Sequence, residues 1–273
     1  MGAVIGVFDS GIGGLSVLKA LRERLPHEDF IYIADSAHAP YGQRDDAYVV
    51  ARARAISQYL VSRNVKALVI ACNTATAAAV RVLRAEHPGL PIIGVEPALK
   101  PAALLSKTGN VGIMATRSTL ASAKFRTLMA SQAGFASFTL EPCDGLADAI
   151  ERSAKSRDSA ELIAACARIT CRMGSFGTRE GQMDTLVLGC THYPFAAAHL
   201  RTMVGPDVQL VDTGEAVARQ TVRQLEGADV LRACPDPAGI GLVSLFTTGQ
   251  ADTLHAAASY WLRLSATSKM LLF

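Results

Sequence analysis

Two cysteines stand in matching settings in the two halves of the chain. Cys72 follows Ala67-Leu68-Val69-Ile70-Ala71 and precedes Asn73-Thr74; Cys190 follows Thr185-Leu186-Val187-Leu188-Gly189 and precedes Thr191-His192. Each preceding run is short, apolar and rich in Leu or β-branched residues, which predicts a buried strand. Each thiol then sits at the carboxyl end of a parallel strand, the edge where open α/β sheets hold their ligands. A free thiol ionises near pH 8.5, about 1.5 units above neutrality, and a helix N-terminus lowers that value. Such a group can serve as both acid and base. A lone cysteine is more often inert packing; two in the same local setting suggest a pair facing one substrate from two sides.

Other polar residues fall at predicted strand ends. Asp9-Ser10-Gly11-Ile12-Gly13-Gly14 follows the first apolar run. It lacks the Gly-Lys-Ser/Thr ending of a phosphate loop, and Ser16 stands where a dinucleotide loop has its third glycine. Backbone N–H groups at a helix start still suit a substrate carboxylate. Asp9 could be a base, a proton relay, an ammonium partner or a plain helix cap. Asp35-Ser36-Ala37-His38-Ala39-Pro40-Tyr41-Gly42 is a second strand-end loop with an unusual backbone path, explained equally by a structural turn. Asn73 and Thr74 offer donors and acceptors for the carboxylate and ammonium of an amino acid. His192, two residues beyond Cys190, could tune the thiol or shuttle protons, or simply cap a helix. Pro194 fits the first turn of that helix. Cys143 adds a buried-side thiol, and Glu151, at the end of the amphipathic stretch Leu146 to Ile150, adds a carboxylate or is simply solvated.

Alternating strand-like and helix-like segments must position these groups. Strands are predicted at Ala3 to Phe8, Phe30 to Ala34, the run ending at Ala71, and Ile92 to Val95. Helices are predicted near Gly14 to Arg24, Asp46 to Arg63 and Ala75 to Ala85. This order implies α/β architecture, a mainly parallel sheet flanked by helices. The pattern restarts at Asn110-Val111-Gly112-Ile113-Met114, which resembles Val4-Ile5-Gly6-Val7-Phe8. The expectation is two pseudo-symmetric lobes with the active site in the cleft between them. Breaks at Glu96-Pro97 and Gly205-Pro206 assign residues 1–97 plus 208–273 to the first lobe and 98–207 to the second. Val208 to Val211, a helix from Thr213 to Glu226, a strand near Leu242 to Thr247 and a helix from Ala251 form a tail expected to return to the first lobe. Pro235-Asp236-Pro237 marks an exposed loop.

Composition narrows the function classes. A net charge of +3 on 273 residues, with scattered basic residues, argues against nucleic acid or an anionic membrane as partner. No apolar run reaches the roughly 20 residues that span a bilayer. The N-terminus lacks the basic start and longer apolar stretch of a secretory signal, and Gly6 stands where an acylation site needs Ser or Thr, so a cytoplasmic location is expected. The six cysteines include no Cys-x-x-Cys, which weakens a dithiol oxidoreductase or zinc ribbon reading. Cys166 and Cys171, on a helix predicted over Ala160 to Met173, are expected as buried packing residues.

The pieces Gly6-Val7-Phe8-Asp9-Ser10-Gly11-Ile12-Gly13-Gly14, Asp35-Ser36 with Pro40-Tyr41-Gly42, Ala71-Cys72-Asn73-Thr74-Ala75, Gly94-Val95-Glu96-Pro97-Ala98 and Leu188-Gly189-Cys190-Thr191-His192-Tyr193-Pro194 occur in this order over most of the chain. In them the chain resembles the glutamate racemases of the cofactor-independent aspartate/glutamate racemase family. The resemblance implies racemisation of L- and D-glutamate without a cofactor, supplying D-glutamate for peptidoglycan. It implies Cys72 and Cys190 as the acid/base catalysts, assisted by Asp9 and His192, with Glu151 as the partner of His192. It places Asp9, Ser10, Tyr41, Gly42, Asn73, Thr74, Thr116, Thr191 and His192 on the substrate, and suggests a homodimer. Where the family often has Cys-Pro-Leu, this chain has Cys143-Asp144-Gly145, and His38 replaces a common Arg or Lys. Rival readings are an aspartate or hydantoin racemase, which would keep both thiols, and a non-catalytic two-lobe amino-acid-binding protein.

Overall fold

The computed structural model of the chain describes residues 4–232 and 239–272. The expected strand start at Ala3, Cys234, the Pro235-Asp236-Pro237 loop and Phe273 lie outside the described residues. The chain opens with β1 (Val4–Asp9), α1 (Leu15–Arg24), β2 (Phe30–Ala34), α2 (Asp46–Ser62), β3 (Val65–Ile70), α3 (Asn73–Glu86) and β4 (Ile92–Gly94). It continues with α4 (Leu99–Leu105), β5 (Asn110–Ala115), α5 (Arg117–Ala121), α6 (Ala123–Ala130) and β6 (Ser137–Pro142). Then come α7 (Leu146–Ser156), α8 (Ala160–Met173), β7 (Thr185–Leu188), α9 (Ala197–Val204) and β8 (Gln209–Val211). The last elements are α10 (Gly214–Gly227), β9 (Val243–Thr247), α11 (Ala251–Leu262) and β10 (Ser268–Met270).

The strands form two parallel sheets, ordered β10-β9-β2-β1-β3-β4 and β6-β5-β7-β8. The chain divides into one unit of Met1–Val95 with Gly214–Phe273 and a second of Glu96–Thr213. Central strands are apolar along their length because helices cover both faces: β1 is buried from Ile5 to Asp9, and all of β7 is buried. In the first unit, α2 turns Val49, Ala53, Ile56 and Leu60 onto Phe8, Ile33 and Leu68. Each such fully buried aliphatic side chain contributes about 1.5–3 kcal/mol relative to exposure. The second unit has its own core, in which Leu99, Phe125, Val111, Ile113 and Val187 meet.

The repeat noted between Val4–Phe8 and Asn110–Met114 has a structural counterpart. β1 lies between β2 and β3, and β5 lies between β6 and β7, with β4 and β8 next in line. The first sheet is extended at the β2 edge by β9 and β10.

Two expectations are corrected. Residues 209–211, expected in the first lobe, form β8 and pair with β7 in the second sheet. A strand that follows a βα unit returns beside its predecessor, and Leu210 falls opposite Leu186; the crossing to the first unit therefore comes after this strand. Cys166 is buried on α8 as expected, but Cys171 is exposed. The inner stripe of α8 runs Leu162, Cys166, Ile169, Thr170 and Met173, and a residue five places from Cys166 points away from it. The C-terminus adds β10 to the sheet; Leu271 packs against the first core while Leu272 remains exposed.

Candidate active site

In each sheet the chain order reverses beside the central strand, at β1/β3 and at β5/β7. Crevices at such switch points, beyond the strands' carboxyl ends, are where doubly wound sheets hold ligands. Asp9 ends β1 and Cys72 follows β3; Thr116 follows β5 and Cys190 follows β7.

The first cluster is built on backbone donors. Asp9 is fully buried; its carboxylate accepts from the N–H of Ser10 at 2.7 Å and of Gly14 at 2.6 Å. A Cβ on Gly14 would stand 2.7 Å from the Asp9 Cβ and 2.9 Å from the Tyr32 hydroxyl, so only glycine permits this approach. Cys72 caps α3: the Ala75 N–H donates to its sulfur at 3.4 Å, and its thiol donates to the Ser10 hydroxyl at 3.7 Å. A sulfur accepting at a helix N-terminus is stabilised as thiolate by the helix dipole. Asn73, in the first turn, is buried, and neither its amide oxygen nor its nitrogen has a hydrogen-bond partner. A buried amide left this way costs about 1–3 kcal/mol, which a bound ligand carrying both a donor and an acceptor would recover. Thr74 is also buried beside it. Tyr41 is buried in the same cluster as Cys72, Gly42 is half-buried, and Pro40 before them follows a cis peptide bond.

The second cluster is built on side chains. The β7 strand gives way to Gly189, whose N–H donates to Met114 O at 2.7 Å. A Cβ there would also lie 2.7 Å from that oxygen, so the close strand packing requires glycine. Cys190 then stands with its sulfur 3.8 Å from His192 Nδ1, and His192 Nε2 lies 2.8 Å from Glu151 Oε1. Burial alone would lower the imidazole, but its bonds to Cys190 and Glu151 outweigh that and raise it well above its ordinary value. The ring thus favours holding a proton beside the sulfur. Gly145, in left-handed backbone, starts α7 and sets Glu151 on it; this is the stretch where the chain departs from Cys-Pro-Leu. Thr116 caps α5, accepting from the Thr119 N–H at 3.2 Å, and Thr191 is buried beside Cys190.

Cys143 is buried, its thiol donating to Glu141 O at 3.3 Å, and burial pushes it far up. It stays protonated and is a packing group rather than a proton carrier. Among the described residues no group of three or more His, Cys, Asp or Glu side chains could hold a metal ion, and no helix is long and apolar enough to cross a membrane.

The structure thus brings Asp9, Ser10, Tyr41, Asn73 and Thr74 around Cys72, and Glu151, Thr191 and His192 around Cys190. Sequence reasoning missed Arg52 and Thr248, which hold Asp35 at the base of the Tyr41 loop. A signal existed for Arg52: it lies three residues after Val49 and four before Ile56, on the apolar stripe of α2.

An α/β fold with two equivalent sheets, each presenting a cysteine at its switch point, defines a class of protein equipped to move protons with thiols. A model of the Asp/Glu/Hydantoin racemase family matches residues 5–221, and the chain belongs to that family. It is 45% identical to the glutamate racemase of Methylococcus capsulatus over 91% of this chain and 88% of that one. Among solved structures it is similar to Escherichia coli glutamate racemase in complex with L-glutamate and the activator UDP-MurNAc-ala, with a TM-score of 0.84, 30% identity and coverage of 99% and 98%. It is also similar to the Francisella tularensis glutamate racemase in complex with D-glutamate, with a TM-score of 0.81, 25% identity and coverage of 99% and 97%.

Proposed function

We propose that this chain is a glutamate racemase that interconverts L- and D-glutamate by removing the α-proton with one sulfur and delivering another proton from the opposite one, without a cofactor. Inversion removes a proton from one face of Cα and returns one to the other; a single base tends to return it to the side it came from. Cys72 takes the proton from D-glutamate and Cys190 takes it from L-glutamate, the opposite sulfur delivering a proton in each case. The observation that carries this reading is the equivalent placement of Cys72 and Cys190 after β3 and β7, in a chain whose relatives named above are glutamate racemases.

The supporting groups divide the remaining work. His192, braced by Glu151, resupplies the proton that Cys190 gives up. Asp9 holds the Gly14 turn and assists Cys72. Backbone N–H groups with Ser10, Asn73, Thr74, Thr116 and Thr191 bind the carboxylates and ammonium and stabilise charge as the α-carbon is deprotonated. Tyr41 and Gly42 line the same substrate. The product D-glutamate serves peptidoglycan synthesis. The resemblance further supports a cytoplasmic homodimer, which sedimentation of the purified chain checks.

Circular dichroism with L-glutamate, L-aspartate or a hydantoin, and no added cofactor, tests the assignment. Loss of optical activity with glutamate alone is expected. Turnover of aspartate or a hydantoin in preference would give the chain to another branch of the family, and calorimetric binding without turnover would make it a binding protein.

A further inference from the structure

We propose that Arg52 is a positioning residue for substrate binding: through Asp35 it holds the Tyr41 phenol, and with it the Tyr41–Gly42 turn, against the Cys72 cluster. The inference rests on the racemase reading above and adds a residue that does not itself touch substrate.

Asp35 follows β2 and is fully buried; its N–H donates to Asp9 O at 2.9 Å, which ties it to the neighbouring strand end. One carboxylate oxygen accepts from the Tyr41 hydroxyl at 2.5 Å and from Arg52 Nε at 3.0 Å. The other accepts from Arg52 Nη2 at 2.9 Å and from the Thr248 hydroxyl at 2.9 Å. Arg52 reaches this carboxylate from α2, and Thr248 from just beyond β9. Gly249 lets that segment close on the loop, since a Cβ there would lie 2.9 Å from the Ser36 Cβ.

The chemistry makes Arg52 the controlling member. A guanidinium in the bidentate geometry fixes the carboxylate plane, and with it the oxygen that the Tyr41 hydroxyl meets, which a lysine ammonium does not. Tyr41 is 1% exposed, in the buried cluster that also holds Cys72. Losing the brace should loosen the loop while leaving both thiols in place, so binding suffers more than proton transfer.

Initial rates for wild type, Arg52→Ala, Tyr41→Phe and the double variant, measured with L- and D-glutamate, test this. Arg52→Ala is expected to raise KM about tenfold for both enantiomers with kcat changed less than about threefold, the signature of lost uniform binding. Tyr41→Phe should do the same, and the double variant should be no worse than either single one, because both remove one linkage. Added ethylguanidinium should lower the KM of Arg52→Ala. Unchanged KM in Arg52→Ala, or full additivity of the pair, overturns the inference. Should Arg52→Ala not fold, unchanged KM in Tyr41→Phe overturns it equally. Absence of turnover in wild type removes the racemase reading and this one with it; wild-type turnover with an indifferent Arg52→Ala removes this one alone.

Discussion

β3 and β7 hold corresponding places in their sheets, yet the thiols that follow them are served differently. Cys72 leans on the backbone: the N-terminus of a 14-residue helix donates to it, and the Ser10 hydroxyl accepts from it. Cys190 precedes a short 3₁₀ turn, Tyr193–Ala196, that leads directly into α9, and its sulfur faces the His192–Glu151 pair. A helix N-terminus favours a thiolate by fixed dipoles, without holding a proton. A histidine bonded to the sulfur on one side and to a carboxylate on the other can also hold a proton to return. Two sites of common topology thus differ in what meets the sulfur, a helix N–H and the Ser10 hydroxyl at one and a histidine–carboxylate pair at the other.

The comparison breaks most sharply at the sulfurs. Cys72→Ala and Cys190→Ala should each lower racemisation by about 10³-fold, within the range ascribed to positioned acids and bases, while circular dichroism reports a folded chain. Full turnover by either removes the two-thiol account. If the assigned directions hold, Cys72→Ala exchanges the α-hydrogen of L-glutamate only and Cys190→Ala that of D-glutamate only, read by proton NMR in D₂O.

The supporting groups come next. His192→Asn should lower kcat/KM by about 10–100-fold and Ser10→Ala by less than about tenfold, because one removes the ring that can carry a proton between Glu151 and Cys190 and the other a hydroxyl whose bonds to Cys72 and Asp9 are long. Because the two enantiomers interconvert with an equilibrium constant near 1, each loss must be equal in both directions. Comparable losses in the two variants would erase the distinction between the two kinds of support.

A smaller effect is expected at the glycines that let the two strand ends close. Gly14→Ala and Gly189→Ala should each destabilise by about 1–3 kcal/mol in urea unfolding, the cost of overpacking. The added Cβ lies 2.7 Å from Asp9 Cβ in one case and 2.7 Å from Met114 O in the other. Indifference at either position would show that its strand end relaxes freely.

The smallest effect is a pH-dependent one confined to the second cluster. The folded-state pKa of His192 is raised, so its contribution to stability is fully present below the unfolded value, about 6.5. That contribution fades as pH rises through the raised folded value. Wild type should exceed Glu151→Gln by on the order of 1 kcal/mol at mildly acidic pH, reduced because Glu151 is 30% exposed, with the gap closing in alkali. A gap that widens with pH would contradict the charge pair.

Much of the architecture could be read from residue order. The apolar runs before Cys72 and Cys190 declared buried parallel strands, and the echo of Val4–Phe8 in Asn110–Met114 declared a second sheet. What failed did so for lack of local signal. Val208–Val211 reads as a strand, but only its pairing with Thr185–Val187 decides which sheet it joins. Cys171 shares a helix with Cys166, and its exposure follows from the angle between them. At the site, residue types and strand ends were visible, whereas the turn of Gly14 onto Asp9 depends on a backbone approach that no side chain announces. Arg52 hid because a cation on an apolar stripe reads as a solvated residue until its buried carboxylate partner is known.

The central claim is tested most directly by running L-glutamate to early conversion in D₂O with wild type and no cofactor, and weighing the products by mass spectrometry. Two thiols on opposite faces predict D-glutamate carrying one deuterium at Cα while recovered L-glutamate remains unlabelled. D-glutamate that retains the original hydrogen, or solvent label entering the L-glutamate as fast as inversion occurs, would contradict abstraction by one of Cys72 and Cys190 and delivery by the other.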